Sequence, residues 1–355
     1  MMSFKNFLEQ FFRLLIKLRV LRYGENAWQT PAELFVIPGS EADPLAICNA
    51  RILEGGPGYN NIRDIGSRAI QYITHVAAVY EKNFGSVPMI AIGTKHGNAC
   101  GASAQYATEG YSEAGILCQM LDGQPISIFG GTVITNFPIT AELANILRTH
   151  NIGDGPKRPL DVVFAPAFDS EAIEILSRKG DKCKIVQLEG LANLTENSLD
   201  TSSIISQVRG GFVFQPNYTF VPYFRNAEKN RQAKLQYEKD AALSWAIGSV
   251  SNSNTISLVK SGMLLANAVS QQDRVGAVQL AFMLAARAKH NVIDCVAYSD
   301  SYFPFDDGPK LLVERGVKMI LATTGSIRDN EVKEVCKNII FYTYPDAIAR
   351  GFAWH

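Results

Sequence analysis

The sequence is poor in the residue patterns that build metal and disulfide sites. Its six cysteines are scattered without a Cys-x-x-Cys pair, and no two of its five histidines stand at the spacing of a zinc site. A disulfide framework or a familiar zinc centre is therefore not expected, and reduced thiols in a cytoplasmic protein fit the cysteine pattern better. A catalytic transition metal is disfavoured on the same grounds.

The chain also lacks net charge and any long uninterrupted apolar run. Lysine plus arginine and aspartate plus glutamate number 34 each, so no overall field would recruit nucleic acid or an acidic membrane. An anionic ligand must then be held by a local pocket. Near the N-terminus Arg13, Lys17 and Arg19 interrupt the apolar residues, which leaves neither a bilayer span nor a signal-peptide core.

The apolar residues of this N-terminal stretch lie roughly on one face of a helix. They are Phe4, Leu8, Phe11, Phe12, Leu15 and Leu18. This spacing predicts an amphipathic helix over residues 1–20 that docks on the body of the protein or on a partner subunit. A surface membrane anchor is the alternative.

The rest of the chain alternates apolar runs with helical patterns. With 47% hydrophobic and 19% charged residues the composition is globular, and 355 residues are enough for more than one unit. The alternation predicts an α/β fold. The pattern weakens between Leu191 and Lys239, so we predict a first unit over residues 21–200 and a second over 201–355. Both units have polar clusters where strands end, which predicts that the two are similar.

One stretch, from Ile90 to Gly101, concentrates the chemically useful side chains. An apolar run is followed at once by a cation, an imidazole, an amide and a thiol, namely Lys95, His96, Asn98 and Cys100. This order predicts a buried strand with polar groups at its end, followed by a helix over residues 102–121. Open α/β sheets usually bind ligands at such a place. The alternative is that Lys95 and His96 are ordinary loop residues.

Further short motifs occur in the order found in one family. In the first half they are Leu21–Asn26, Tyr59–Ile62, Lys95–His96 with Asn98 and Cys100–Gly101, and Phe129–Gly131. In the second half they are Ser253–Asn254, Gln271–Gln272 with Arg274, Ser299–Asp300 with Phe303–Phe305, and Gly325–Ser326 with Arg328–Asp329. In these motifs the chain resembles the AICAR transformylase portion of the bifunctional purine-biosynthesis enzyme that also carries an IMP cyclohydrolase domain.

This resemblance implies both a fold and an activity. It implies a pair of cytidine-deaminase-like α/β/α subdomains and a homodimer with active sites at the subunit interface. It also implies transfer of a formyl group from 10-formyltetrahydrofolate to the 5-amino group of AICAR, which gives FAICAR in purine biosynthesis. The cyclohydrolase domain that precedes this portion in the family has no room here, so a stand-alone transformylase-like chain is expected.

Two alternatives stay open beside formyl transfer to AICAR. One is a formyltransferase of the same type that acts on a different amine in specialised metabolism. The other is a nucleotide- or folate-binding homologue without turnover. The presence of Lys95, His96 and Asn254 argues against the second alternative, because mere binding does not require that set.

The catalytic roles implied by the resemblance fit the chemistry of formyl transfer. The amine must lose a proton as it attacks, the formyl oxygen gains charge, and the folate nitrogen must be protonated to leave. His96 would accept or relay the proton, and Lys95 would stabilise the oxyanion or protonate the leaving nitrogen. Asn254 would orient the base and the substrate carboxamide. Cys100 is better explained as a packing thiol than as a nucleophile, because no covalent intermediate is needed.

The resemblance also implies a set of substrate contacts and a cation. The implied contacts are Arg22 and Tyr23 near the phosphate, Asn61 and Gly130 near the ribose and carboxamide, Tyr302, Phe303, Pro304 and Phe305 near the imidazole ring, and Asp307 and Arg350 as further substrate-binding residues. The faces of the aromatic residues and the proline would also suit a flat pterin, with plain core packing as the alternative for any single aromatic. A potassium ion is implied near Ser253, Thr255 and Asp300.

The chain departs from the family pattern at positions that would face a ligand. Ala99 replaces the proline of the Lys-His-x-Asn-Pro-Cys-Gly motif, Trp28 replaces a histidine, and Asp306 replaces a basic residue. The family's second phosphate-binding arginine aligns with Gly351 when the C-termini are matched without a gap. A shift of one residue would bring in Arg350, and we expect Arg350 to reach the site because the adjacent glycine makes the backbone compliant.

Overall fold

The computed structural model describes residues 15–353 of the chain. Its strands are β1 (Ile16–Leu21), β2 (Ala32–Val36), β3 (Arg51–Glu54), β4 (Met89–Lys95), β5 (Asn98–Gln105), β6 (Gly131–Thr135), β7 (Leu160–Ala165), β8 (Lys184–Gln187), β9 (Ser203–Val208), β10 (Gly211–Pro216), β11 (Glu228–Lys229), β12 (Ile256–Lys260), β13 (Met263–Ala268), β14 (Val296–Ser299), β15 (Met319–Thr324) and β16 (Ile340–Pro345).

The helices occupy the segments between these strands. They are α1 (Tyr59–Arg63), α2 (Ile70–Phe84), α3 (Glu113–Gly123), α4 (Ala141–Thr149), α5 (Ser170–Leu176), α6 (Leu235–Gly248), α7 (Arg274–Arg287), α8 (Asp307–Glu314), α9 (Asp329–Val335) and α10 (Asp346–Ala349). A π-helical turn, Asp64–Ala69, joins α1 to α2. Among residues 15–353, none of the helices combines the length and apolarity needed to cross a membrane.

Twelve of these strands form one mixed sheet, in the order β11-β16-β15-β14-β12-β13-β5-β4-β6-β7-β8-β3. In the first half β4 pairs antiparallel with β5 and β6, while β6, β7 and β8 run parallel. The second half repeats this pattern, with β12 antiparallel to β13 and β14 and with β14, β15 and β16 parallel. The halves meet where β13 runs antiparallel to β5, with Met263 opposite Ser103.

Helices cover both faces of the sheet. On one face α2 and α6 pack into a single apolar core that draws on both halves, with Tyr72, Ile73 and Trp245 among its buried residues. On the other face α3, α4 and α5 bury the first half, and α7, α8 and α9 bury the second. Because both faces are covered, the central strands are buried along their length instead of on one face only, as in β6, where every residue is buried. The α/β class is thus confirmed.

The structure corrects the predicted N-terminal helix where the two overlap. Residues 1–14 lie outside the described part of the chain, but residues 16–21 form strand β1, which pairs antiparallel with β2. The helical spacing of the apolar residues was misleading here, because pairing with a strand more than ten residues away is not visible in a short window. The predicted boundary near residue 200 stays a prediction.

The helix predicted over residues 102–121 is wrong in its first half. Residues 98–105 form β5, and the helix begins at Glu113 after its N-cap Ser112, whose hydroxyl accepts from the Gly115 N–H. β5 is a central strand between β4 and β13, and small side chains such as Ala102 and Ala104 are buried between two covering layers. Tertiary pairing here outweighs the helix propensity of alanine.

Two other predicted strands have different limits. Residues 125–130 form turns, and only Gly131–Thr135 of the predicted strand 125–135 belongs to the sheet. The segment predicted as one strand from Arg209 to Gln215 is the tip and second strand of a hairpin, because β9 and β10 pair around Arg209 and Gly210. This hairpin forms a separate two-stranded sheet.

Candidate active site

The Lys95–His96 motif lies on a tight β-hairpin rather than between a strand and a helix. Lys95 pairs with Asn98, so His96 and Gly97 form a two-residue turn between β4 and β5. Their φ values are 52° and 76°, the left-handed conformation that such turns require at both positions. Glycine adopts it freely, whereas His96 does so as a non-glycine residue. The turn leaves the His96 side chain exposed and Lys95 half-buried.

Lys95 points toward the segment before β6. Its Nζ donates a hydrogen bond to the Phe129 carbonyl. A methyl group on Gly130 would stand 2.9 Å from Lys95 Nζ and 3.7 Å from an Asp161 carboxylate oxygen. A glycine at position 130 therefore leaves the space that the ammonium occupies, and Asp161 lies beside that space. Sequence reasoning did not select Asp161, which sits inside an apolar strand without a recognisable motif.

Charged residues of the π-helical turn lie beneath the hairpin. A methyl group on Gly97 would stand 3.3 Å from Arg68 Nε, so the guanidinium stem packs against the turn. Burial raises the pKa of the Asp64 carboxyl, although the nearby His96 and Arg68 and a hydrogen bond from Thr132 act in the opposite direction. Sequence reasoning also missed Asp64 and Arg68, because charges within a helical pattern ordinarily indicate a solvated face.

Cys100 is placed for packing. Its thiol is buried and lies 3.5 Å from the Gly93 carbonyl oxygen. Burial raises the pKa of this thiol to about 12, against a smaller opposing influence of Lys95. The thiol is therefore protonated at neutral pH, and the packing interpretation is the one that the geometry favours.

The Arg22–Tyr23 loop packs against the start of α1. The Tyr59 N–H donates to the Tyr23 carbonyl at 3.3 Å, and Asn60 Nδ2 donates to the Glu25 carbonyl at 3.2 Å. Asn61 Oδ1 accepts the Gly58 N–H at 3.0 Å, so Gly58 is the N-cap and Asn61 braces the turn from within the helix. The side chains of Arg22 and Tyr23 are exposed.

A cleft of about 530 Å³ gathers most of the second-half candidates. It is lined by Ser253, Asn254, Gln272, Asp273, Arg274, Val275, Ser301, Tyr302, Pro304, Phe305, Asp307, Arg350 and Phe352. Asn254 is anchored in its wall, because its Nδ2 donates to the Gln271 carbonyl at 2.8 Å. Gln272 and Arg274 belong to a motif that carries the resemblance, although no role in the site was predicted for either residue.

The structure does not bring Phe303 to this cleft. Its side chain is 2% exposed and belongs to the apolar core beneath α7 and α8. Its neighbours Pro304 and Phe305 are exposed. The core-packing alternative therefore describes the position of Phe303, while the residues on either side line the cleft.

The C-terminal segment places Arg350, not residue 351, on the cleft. The Arg350 guanidinium carbon lies 5.9 Å from the Tyr302 ring centroid, and the guanidinium pairs with Asp346. A methyl group on Gly351 would stand 2.5 Å from Tyr218 Oη and 2.8 Å from Ser249 Cβ. An arginine at position 351 would therefore clash with its surroundings.

Asp346 is a well-connected carboxylate behind Arg350. Its Oδ1 accepts the Ser301 hydroxyl at 3.0 Å and the Thr323 hydroxyl at 2.5 Å. Burial alone would raise the pKa of Asp346, but the hydrogen bonds from Arg350, Thr323 and Ser301 outweigh it and hold the pKa below its ordinary value. Asp346 is thus ionised at neutral pH and holds the Arg350 guanidinium against Tyr302.

Two of the three predicted cation ligands lie together. The Asp300 N–H donates to the Thr255 carbonyl at 3.4 Å, and both side chains are fully buried. Asp300 pairs with Arg274 through one carboxylate oxygen, while its Oδ2 is buried without a hydrogen-bond partner among the described residues. Ser253 instead lines the cleft on the neighbouring loop.

The first-half candidates form a second set beside the hairpin. This set consists of Arg22, Tyr23, Asn61, Lys95, His96 and Gly130, none of which lines the 530 Å³ cleft formed by the described residues. A direct link joins the two sets, since Asn98 Oδ1 accepts the Asn252 N–H at 3.3 Å. The hairpin that carries His96 therefore touches the loop that carries Asn254.

Comparison with known proteins supplies the family. The sequence model described as "AICARFT/IMPCHase bienzyme" matches residues 2–284. The bifunctional purine biosynthesis protein PurH of Anoxybacillus flavithermus is 30% identical over 321 residues, which cover 89% of this chain and 55% of that protein. The protein of the same name from Caldicellulosiruptor saccharolyticus is 31% identical, over 88% of this chain and 54% of its own length.

This chain spans about half the length of the curated relatives that it matches. The PurH of Lacticaseibacillus casei follows the same pattern, with 29% identity over 92% of this chain and 58% of its own length. Since the family match covers well over half of the sequence, the chain belongs to the AICARFT/IMPCHase bienzyme family.

Proposed function

We propose that this protein transfers a formyl group from 10-formyltetrahydrofolate to the 5-amino group of AICAR, giving FAICAR in purine biosynthesis. The observation that carries the proposal is the β4–β5 hairpin of a chain of this family, which exposes the His96 imidazole on its turn beside Lys95. An exposed imidazole beside an ammonium supplies the two proton-handling groups that formyl transfer needs.

The residues divide the chemistry between them. His96 takes the proton of the attacking amine, and its exposure on the turn makes it accessible to a substrate. Lys95 stabilises the charge that develops on the formyl oxygen, or protonates the departing folate nitrogen. Its hydrogen bond to the Phe129 carbonyl holds the ammonium beside Gly130. Asn254, fixed by Gln271, orients the carboxamide of the nucleotide.

The cleft residues suit a flat, anionic ligand. Tyr302, Pro304 and Phe305 offer planar faces for an imidazole or pterin ring, and Arg350 offers a guanidinium for a phosphate. In the set beside the hairpin, Arg22 and Tyr23 are exposed and would contact the phosphate of the same nucleotide. Asn61 and Gly130 would lie near the ribose and the carboxamide of that nucleotide. Asp307, in the first turn of α8, completes the proposed contacts.

We also propose the finer architecture that goes with this activity. The repeated order of strands and helices supports two cytidine-deaminase-like α/β/α subdomains. The separation of the candidates into a hairpin set and a cleft set supports a homodimer in which each site draws on both subunits. All six cysteines are free thiols, which supports a cytoplasmic location.

Potassium fits part of its proposed site. The buried Asp300 Oδ2 offers an unused lone pair, and the Thr255 carbonyl, which accepts the Asp300 N–H, is a second oxygen of the hard kind that an alkali cation takes. A bound cation would order the Asn252–Thr255 loop and, with it, Asn254. Arg274 already balances much of the Asp300 charge, so the residues do not demand a metal ion.

A turnover assay tests the proposal. The purified protein is mixed with 10-formyltetrahydrofolate and AICAR, and release of tetrahydrofolate is followed. The expected result is release that depends on AICAR. Release with another amine but not with AICAR would favour the alternative acceptor, which the substitutions Trp28 and Asp306 make worth testing. No release of tetrahydrofolate with any amine would favour the remaining alternative, a nucleotide- or folate-binding homologue without turnover.

A further inference from the structure

Tyr72 on α2 sits directly under the hairpin that carries His96. The ring is fully buried, and its hydroxyl accepts the Ala99 N–H at 3.3 Å. The same hydroxyl lies 3.0 Å from Ser251 Oγ. Ser251 uses its own proton to donate to the Ile247 carbonyl at 2.8 Å, so Tyr72 is the donor to Ser251, and its hydroxyl also lies 3.5 Å from the Gly97 carbonyl of the turn.

Asn267 completes this network from the second half of the sheet. Its Nδ2 donates to the Ala99 carbonyl and to Ser251 Oγ, both at 3.0 Å, and its Oδ1 accepts the Ser257 hydroxyl at 3.0 Å. Both backbone polar groups of Ala99 are therefore bound by buried side chains. A buried network in which every group is satisfied is rigid, because each bond would be costly to break in a low-dielectric interior.

Ala99, which this network binds, is also a position at which the chain departs from the family motif. The motif of the family has a proline there, which would restrict the backbone but would have no N–H to donate. In this chain the alanine N–H is present, and the Tyr72 hydroxyl binds it. The hydrogen bond from the Ala99 N–H to Tyr72 thus restrains the backbone at the position where the family motif has the rigid ring of a proline.

The network also joins the hairpin to the Asn252–Thr255 loop within one chain. Ala99 lies three residues after His96, and Ser251 lies three residues before Asn254. We propose that Tyr72 is a positioning residue that holds the conformation of the His96 turn, an inference that rests on the proposed formyl transfer. Because its ring is fully buried, Tyr72 acts through Ala99 and Ser251 and not by direct contact with a substrate.

The experiment compares Tyr72→Phe with a matched control, Tyr80→Phe. Both tyrosines are fully buried on α2, and Tyr80 donates its hydroxyl to the Lys239 carbonyl at 3.0 Å, away from the hairpin. Each variant loses one hydroxyl without a change in shape. Thermal unfolding shows whether the two lose similar stability, and kcat and KM for AICAR are measured in both.

The expected result is a fall in kcat of about 10- to 100-fold in Tyr72→Phe, since small displacements of catalytic groups carry losses of this order. KM should stay within about threefold, and Tyr80→Phe should keep both constants near wild type. Ser251→Ala should give a similar fall, and the double variant Tyr72→Phe/Ser251→Ala should lose little more than either single one. Equal kcat in Tyr72→Phe and Tyr80→Phe would overturn the inference.

Amide hydrogen exchange separates this inference from the proposed function. Exchange of the peptide that covers residues 95–104 should speed up in Tyr72→Phe and not in Tyr80→Phe. Wild-type protein without turnover would reject formyl transfer, while the exchange result would still decide whether Tyr72 orders the turn. Unchanged exchange in Tyr72→Phe would reject the positioning role even if the enzyme is active.

Discussion

At the scale of single residues, the backbone conformation decides which side chains can act. His96 reaches solvent because it occupies the first left-handed position of a two-residue turn, while Lys95, still in the strand, points to Phe129. Arg350 reaches the cleft because Gly351 is tightly enclosed by Tyr218 and Ser249. A shift of one position in the C-terminal segment would exchange a side chain that lines the cleft for a packed one.

Replacing His96 with alanine should abolish most turnover. Loss of a general base commonly lowers kcat by about 10²- to 10⁴-fold, and nucleotide affinity should change only a few-fold. The measurement is kcat by release of tetrahydrofolate, with AICAR binding by calorimetry. His150→Ala is the control, because this histidine pairs with Asp122 at 2.8 Å and belongs to neither set of candidates. Near-normal activity in His96→Ala would refute the assigned base.

Replacing Arg350 with alanine should remove the preference for a phosphorylated ligand. A charge-assisted contact of this kind contributes roughly 1.5–3 kcal/mol, or about ten- to a hundredfold in affinity. The affinities for AICAR and for its dephosphorylated riboside are compared in wild type and in Arg350→Ala. We expect the wild type to prefer AICAR and the variant to lose most of that preference. Equal affinities in the wild type would mean that no phosphate pocket exists.

At the scale of elements, each half of the sheet contains an equivalent hairpin, but the two hairpins carry different residues at the turn. The β12–β13 turn, Ser261 and Gly262, has φ values of 52° and 70°, and Lys260 Nζ donates to the Ile293 carbonyl at 2.7 Å. This matches Lys95 and Phe129 in the first half. In the second half, however, Asp240 accepts the N–H groups of both turn residues, and no histidine is present. The hairpin is therefore a common structural element, and the residues at its turn determine whether it presents a titratable side chain.

The packing of α2 against α6 should make stability depend on pH through His75. This imidazole donates to the Gln71 carbonyl and lies between Tyr218 and Trp245. Burial lowers the pKa of His75 from 6.5 to about 4. Below pH 6.5 the unfolded chain therefore binds a proton that the folded chain does not, so the contribution is complete above pH 6.5 and is lost as the pH falls toward 4.

The free energy of unfolding should then fall by roughly 2 kcal/mol between pH 7.5 and 5.0 on account of this group. Urea unfolding at several pH values in wild type and in His75→Phe measures it, because phenylalanine keeps an aromatic ring but does not titrate. We expect a shallower pH dependence in the variant. Parallel curves for the two proteins would show that His75 is not the group responsible.

At the scale of the whole molecule, one sheet carries two sets of candidate residues. The hairpin set belongs to the first half, and the cleft set belongs to the second, with contact between them at Asn98 and Asn252. A shared apolar core under α2 and α6 holds the halves in fixed register.

Mixing two inactive variants tests whether sites are shared between subunits. His96→Ala and Asn254→Ala are unfolded and refolded together, so that mixed dimers form. If the two residues of a site come from different chains, about a quarter of wild-type turnover should return, since half of the dimers would carry one intact site of two. Sedimentation gives the oligomeric state. An active monomer, or no recovery in mixed dimers of proven composition, would reject shared sites.

The sequence by itself determined the α/β class, most of the helices and strands, and the motifs that identify the family. These features are local, because hydrophobic periodicity and short motifs are contained in windows of a few residues. It also singled out Lys95 and His96 by their side-chain chemistry, and Asn254 through the resemblance to the family.

Only the tertiary structure decided which neighbours those residues have. It turned residues 98–105 into a central strand, placed Phe303 in the core, and brought Arg350 rather than position 351 to the cleft. It also showed that Asp64 and Asp161 lie near the Lys95–His96 hairpin and that Tyr72 takes part in a buried network, none of which a sequence motif indicates. The reason is physical: strand pairing, burial and hydrogen bonds between Tyr72 and Ser251 join residues that are far apart in the chain, and a local pattern does not specify its distant partner.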